Sequence, residues 1–329
     1  MVAATGWRAL LAVVIAAAGV DTTLAQPPKP RRVGYIVVAS EAEQVRLTRT
    51  FEDAMRELGY VEGRDVVYER RFADGKPENL PALAAELVEL KPDVIVSGAN
   101  PVVDALRRAT TTIPIVMSTS RDAVRAGYVE SYARPGGHVT GLVTDPSPEA
   151  IGKGLEAFRE IVPRARRVGL LWNPAPSGAA TYRAAAEAAA SRSGITLHVV
   201  ELRSRDALEQ AFAEMARERV DGVWVLPDPL AYTGRATVVR LARQYRLPSV
   251  FWQREFVDAG GLVSYGSSVE ANFRRAAAYV DRILKGARPG DLPIEQPSRF
   301  ELVVNTGAAE ALGLAIPASL MLRADDVVR

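Results

Sequence analysis

The chain contains no cysteine and only two histidines in 329 residues. The first absence removes disulfides, so the core must hold without covalent staples. Together the two leave almost no material for a zinc site, and no cofactor is expected. Aromatic residues are scarce at 7%, with four tryptophans, so a Trp beside polar strand ends is informative. A dominant charge is missing as well. Lys plus Arg is 41, Asp plus Glu is 39, and the net charge is +2. The basic residues are scattered through pieces such as RRFADGKPE (70–78) and RRATTT (107–112), which read as solvated helix ends and loops. That argues against a nucleic-acid partner. No Walker A motif and no G-x-S-x-G elbow occurs. GKGLEA (152–157) matches a dinucleotide fingerprint by letter, but it falls inside an expected helix and no acid follows about 20 residues on. His138 opens an expected strand and His198 sits within one; neither has a serine in a suitable context, so no catalytic triad is assigned and no enzyme is expected.

Long apolar runs are also lacking, apart from the N-terminus. There, Arg8 precedes an uncharged run from Ala9 to Val20, and Thr23-Leu24-Ala25 follows. This is the n-region, h-region and cleavage pattern of a secretory leader. The run is too short to cross a bilayer core of about 30 Å as a helix. Residues 1–25 are therefore expected to be a signal peptide cleaved near Ala25, and the mature chain to be periplasmic. Without a cysteine at the cleavage site, no lipid anchor is expected.

From Arg31 onward, short β-branched runs alternate with amphipathic segments. VGYIVVA (33–39) reads as a strand buried on both faces. In the next segment Val45, Leu47, Phe51, Met55 and Leu58 share one helix face, and Gly59 stops it. The alternation continues, with a weaker helix expected over 124–133 and FELVVN (300–305) as the last strand. The pattern is also written twice. RRVG occurs at 31–34 and 166–169, KPDVIVSGANP (91–101) matches RVDGVWVLPDP (219–229), and TIPIV (112–116) matches RLPSV (246–250). Strands alternating with helices of about 10 to 15 residues imply parallel sheets with right-handed crossovers. The expected fold class is α/β: two doubly wound parallel-sheet lobes joined by a hinge. The lobes are expected at 31–143 plus 268–291 and at 144–267 plus 292–329.

In an open parallel sheet, ligands bind beyond the carboxyl ends of the strands. Those ends carry Ser40, Ser97, Asn100, Ser118 and Asp122 in the first lobe, with Arg121 beside them. In the second they carry Asn173, Asp228, Tyr232, Trp252 and Tyr265, followed by Arg254 and Glu255. Hydroxyls, amides and helix N-termini hold a carboxylate, an Asp pairs with an amine, and tryptophans cover an apolar body. Plainer roles compete. Ser40 and Asn100 are equally good helix caps, Asp228 between two prolines is turn chemistry, and Arg254 and Glu255 pair with each other. The favoured reading is capture of a small molecule, amino-acid-like or aromatic, by hinge closure. The rivals are an exported α/β hydrolase using Asp122 or Asp228 as base, and a ligand-sensing subunit of a membrane receptor.

Several segments carry a family resemblance: RELGYVEGRDV (56–66), LPALAAELVELKPDVIV (80–96), ARPGGHVTGL (133–142), REFVDAGGLVSYG (254–266), the run 273–305 and ALGLAIPASLMLRAD (311–325). They resemble the exported substrate-binding proteins of ABC transporters, the ABC-sub-bind group with the type I periplasmic-binding fold. The resemblance covers Arg31 to Val327. It implies a periplasmic receptor that delivers a small-molecule ligand to an ABC permease in the inner membrane, without catalysis; a monomer is expected. The usual family pattern has Asn where this chain has His138. It has GDPV where this chain has SRDAV (120–124), so Arg121 replaces a Gly at the cleft rim.

Overall fold

The repeated RRVG segments become matching strands, and the same chemistry starts both. The Arg32 N–H donates to the Asp93 carboxylate at 2.7 Å. The Arg166 and Arg167 N–H groups donate to Asp221 at 2.7 and 2.8 Å. Asp93 and Asp221 occupy equivalent places in the second matched pair of segments, so the duplication is written into the hydrogen bonds.

The computed structural model describes residues 29–145, 148–175 and 179–329; the expected leader, 1–25, lies outside them. Its elements run β1 (Arg31–Val37), α1 (Glu41–Glu57), β2 (Val66–Phe72), α2 (Leu80–Glu89), β3 (Val94–Ser97), α3 (Asn100–Ala109), β4 (Ile115–Ser120) and β5 (Val139–Val143). Then follow α4 (Pro148–Ile161), β6 (Arg167–Trp172), α5 (Ala179–Arg192), β7 (Thr196–Glu201), α6 (Leu208–Arg217), β8 (Gly222–Val225), α7 (Pro229–Thr233), α8 (Arg235–Gln244), β9 (Ser249–Phe251), α9 (Arg254–Asp258) and β10 (Val263–Ser267). The tail holds α10 (Val269–Leu284), β11 (Phe300–Asn305), α11 (Thr306–Leu312), α12 (Ala318–Arg323) and β12 (Asp326–Val328).

Among the described residues the strands form two sheets, ordered β2-β1-β3-β4-β5 and β12-β11-β10-β9-β8-β6-β7. Read from β7, the second sheet repeats the order of the first and then adds two strands. The first sheet is parallel throughout. In the second, β10 and β11 pair antiparallel, with Ser267 opposite Phe300. The cause is the chain path. β10 runs toward the first lobe, the chain makes α10 there, and β11 returns from that same end.

Helix α10 is covered by first-lobe residues, although second-lobe strands flank it in sequence. Phe273, Ala276, Ala277 and Val280 pack with Tyr35, Phe51 and Met55, and the Tyr35 and Phe273 ring centres are 6.1 Å apart. Burying Phe273 at 1% exposure contributes about 1.5–3 kcal/mol. The return crossing lies later than the expected 291/292 boundary. Leu292 and Ile294 are buried in the first lobe, and the Glu295 N–H donates to the Gly141 carbonyl at 3.0 Å.

Two expected elements are corrected. Residues 124–133 form turns, not a helix, because Asp122 (φ 48°) and Gly127 (φ 70°) adopt left-handed backbone that no helix tolerates. β11 is not the last strand. β12 extends the sheet beside it, with Val304 opposite Val327.

Candidate functional site

An open sheet of this order has a switch point between its first and third strands, where a crevice opens beyond the carboxyl ends. In the second lobe that point lies between β6 and β8. Asn173 follows one strand and Asp228 follows the other, and they meet there. Asn173 Nδ2 donates to Asp228 Oδ2 at 2.7 Å, and the Ala231 N–H donates to Asp228 Oδ1 at 2.7 Å. Asp228 thus caps α7, rather than serving a turn alone, while lying at the crevice with 3% exposure. Burial raises its carboxyl above the ordinary value, opposed by these hydrogen bonds and by the charge of Arg121. Each carboxylate oxygen keeps acceptor capacity for an ammonium group.

Arg121 comes from the other lobe, one residue beyond β4. Asn100 clamps its backbone from both sides. The Arg121 N–H donates to Asn100 Oδ1 at 2.8 Å, and Asn100 Nδ2 donates to the Arg121 carbonyl at 2.9 Å. The guanidinium carbon reaches 5.7 Å from the centre of a Trp252 ring, a cation–π contact across the gap. A second bridge joins the lobes where Arg235 Nη2 meets Glu43 Oε1 at 2.5 Å. The lobes are therefore in contact over the crevice.

Ser97 Oγ at the end of β3, Trp252 Nε1 just beyond β9 and Glu255 Oε2 in α9 are buried and make no hydrogen bond in the described protein. Ser118 differs. Its hydroxyl donates to the Ser97 carbonyl at 2.8 Å, which fixes the end of β3. Glu255 does not pair with Arg254 as expected. Arg254 pairs with Asp258 and Asp326 instead, and burial pushes the Glu255 carboxyl above its usual value.

The remaining sequence candidates are placed less centrally. Ser40 gives its N–H and hydroxyl to Glu43, at 3.2 and 3.0 Å, so it serves the start of α1. Tyr265 lies on a sheet face, stacked on Phe300 at 6.0 Å and packed near Gly154 of α4. Tyr232 packs edge-on to Phe256 at 6.3 Å, with Arg235 over its ring at 5.2 Å. The Asp122 N–H donates to Asp145 at 2.8 Å. Asp145 stands at the first crossing and also accepts from Tyr182 at 2.9 Å and Tyr132 at 3.4 Å. Sequence reasoning had no signal for this junction, because residues 122, 132, 145 and 182 share no periodicity.

Histidine chemistry is remote from the gap. His138 precedes β5, at the opposite end of the first sheet, and His198 Nε2 lies 3.0 Å from Glu214. Among the described residues no group of three His, Asp or Glu is placed to hold a metal ion, and no helix is long and apolar enough to cross a membrane. A depression of about 830 Å³ opens beside α8 and α11, rimmed by Arg243, Arg246 and Arg329. It sits at the amino ends of β9 and β10, away from the gap.

A family model described as ABC transporter substrate binding protein matches residues 32–328. The chain belongs to that family. A tyrosine-binding protein of Clostridioides difficile is 23% identical over 286 residues, covering 87% of this chain and 82% of that protein. The crystal structure of an ABC domain from Streptococcus pneumoniae in complex with L-Trp superposes with a TM-score of 0.81 at 24% identity, over 91% of this chain and all of that one. A conserved domain protein of Vibrio cholerae gives 0.80 at 28% identity, with the same coverage. The protein is thus a solute-binding component of the ABC-importer type whose ligand is a small molecule, and its family is one of binding proteins rather than enzymes.

Proposed function

We propose that this binding protein works as an exported monomer, its leader cleaved near Ala25, and carries an amino-acid-like ligand with an aromatic body to an inner-membrane permease without altering it. Residues 31–143 plus 268–295 and 148–267 plus 299–329 are the two closing units. The ligand lies between the switch points. Asp228, oriented by Asn173, takes its amine; Trp252 covers the ring; the open Ser97 hydroxyl and Trp252 N–H hydrogen-bond to its polar end.

The observation that carries this reading is the buried Asp228–Asn173 pair, set at one lobe's switch point within reach of Arg121 from the other. A buried carboxylate without a basic partner in contact is costly unless a cation joins it. The tyrosine-binding relative and the L-Trp complex of a structural neighbour support the ligand class.

The test is calorimetric titration of protein refolded free of co-purified ligand, using L-tryptophan, L-tyrosine, L-phenylalanine and non-aromatic amino acids. One-to-one binding with Kd of roughly μM or tighter, with the amino acid recovered unchanged, is expected for an aromatic member. Turnover, or no binding of any aromatic amino acid, refutes the proposal. Cell fractionation and N-terminal sequencing check export and the cleavage point.

A further inference from the structure

We propose that Arg121 is the specificity-determining residue of the gap: its guanidinium takes the carboxylate of the bound ligand and restricts the receptor to ligands that carry one. The inference rests on the cleft-binding reading above and names the anionic half of the ligand.

The geometry begins with the backbone. Arg121 leaves the carboxyl end of β4 and is pinned on both sides by the Asn100 side chain. Asp122 then turns the chain away with left-handed backbone. The Arg121 side chain is left pointing across the gap, where its guanidinium meets Trp252. This is a half-buried cation with no carboxylate within ion-pair distance among the described residues. The acids around it are otherwise engaged. Asp145 accepts from three donors. Asp228 accepts from Asn173 and Ala231. Asp122 stands 3.8 Å from Arg125. The contact with Trp252 is attractive but leaves the charge uncancelled.

A cation drawn out of water without a counter-ion seeks one, and the planar guanidinium fork fits a carboxylate through paired N–H donors. Asp228 lies close enough to feel the charge of Arg121, and the two belong to different lobes. A ligand bearing an ammonium and a carboxylate sets each of its charges against an opposite one. In doing so it ties the first lobe to the second, which is the differential contact that closure requires.

The experiment compares wild type, Arg121→Gln and Arg121→Lys by calorimetry, against L-tryptophan, L-tryptophanamide and tryptamine. These probes share the indole and the amine and differ only in the carboxylate. Wild type is expected to favour L-tryptophan over the amide by at least about tenfold, the size of a charge-assisted contact. Arg121→Gln should bind the two within about threefold, with Arg121→Lys between, and melting temperatures report that the variants are folded. If Arg121→Gln keeps the wild-type preference, Arg121 does not hold the carboxylate. If it binds L-tryptophan more tightly than wild type, Arg121 is a latch that competes with the ligand, and the proposal falls. If wild type binds none of the three, the aromatic reading fails by itself, and a metabolite library of matched acids and amides decides the role of Arg121. There, an acid that weakens tenfold or more in Arg121→Gln supports the assignment, and uncharged or cationic hits overturn it. A library with no hit at all removes both readings.

Discussion

Replacing Asp228 tests the site and the fold at once, because its two oxygens do separate jobs. In Asp228→Ala the N-cap bond to Ala231 is lost, at about 0.5–2 kcal/mol. Asn173 Nδ2 is left buried without its acceptor, at about 1–3 kcal/mol. Removing a buried carboxylate whose ionisation is already opposed by its surroundings returns part of that loss. A net destabilisation of about 1–3 kcal/mol should remain. Asp228→Asn keeps the shape and one acceptor oxygen, forfeits a single hydrogen bond and removes the charge, so its stability should stay within about 1 kcal/mol of wild type. Binding should separate the pair from the fold. Without the negative charge, the ammonium of a bound amino acid is buried unpaired, a loss of about 3 kcal/mol or more, which is over a hundredfold in Kd. Urea denaturation and calorimetry on the same samples give both numbers. A folded Asp228→Asn protein that binds its best aromatic amino acid within threefold of wild type removes Asp228 from amine recognition. An Asp228→Ala protein as stable as wild type refutes the capping geometry.

Glu255 predicts a pH dependence. Burial raises its native carboxyl above the ordinary 4.5, so the native state holds this proton more tightly than the unfolded chain does. Its contribution is fully present below the unfolded value and is lost as pH rises through the native one. Glu255→Gln should therefore gain stability toward neutral pH and flatten the profile above about 4.5, measured as urea midpoints across pH; an unchanged slope contradicts a Glu255 carboxyl destabilised by burial. Gly266→Ala places a Cβ 1.6 Å from the Trp252 carbonyl oxygen, a backbone clash that no rotamer relieves. A loss of about 3 kcal/mol or more, together with altered Trp fluorescence, is expected, and a wild-type melting curve would count against the β9–β10 packing. Arg235→Ala removes the exposed bridge to Glu43. Stability should fall by less than about 1 kcal/mol, while solution scattering of the empty protein shifts toward a more open form; an unaltered profile means the bridge does not hold the lobes.

Sequence candidates fared differently according to what their side chains were free to do. Asp228 and Asn173 sit at strand ends and bond to each other, and Trp252 faces Arg121 of the other lobe. Ser40 sits at a strand end too, but a neighbouring Glu43 three residues on absorbs both its donors. A helix cap and a ligand contact look alike in sequence, since both require a small polar residue before a helix. Tyr265 was misleading for another reason. It lies two residues before the end of β10, and in a buried strand the side chain points onto a packed sheet face, here toward Phe300.

The duplication and the α/β alternation follow from the sequence alone. They arise from local periodicity and from strand-start aspartates repeated in both halves, and neither needs distant contacts to be read. What tertiary structure decided is which polar groups remain open. Asn100 turns inward to hold the Arg121 backbone, and Asp145 gathers donors from three separated segments. Arg121 crosses to Trp252, 131 positions along the chain in a different lobe. Such pairings depend on how two sheets face each other across three chain crossings, and linear spacing carries no record of that distance.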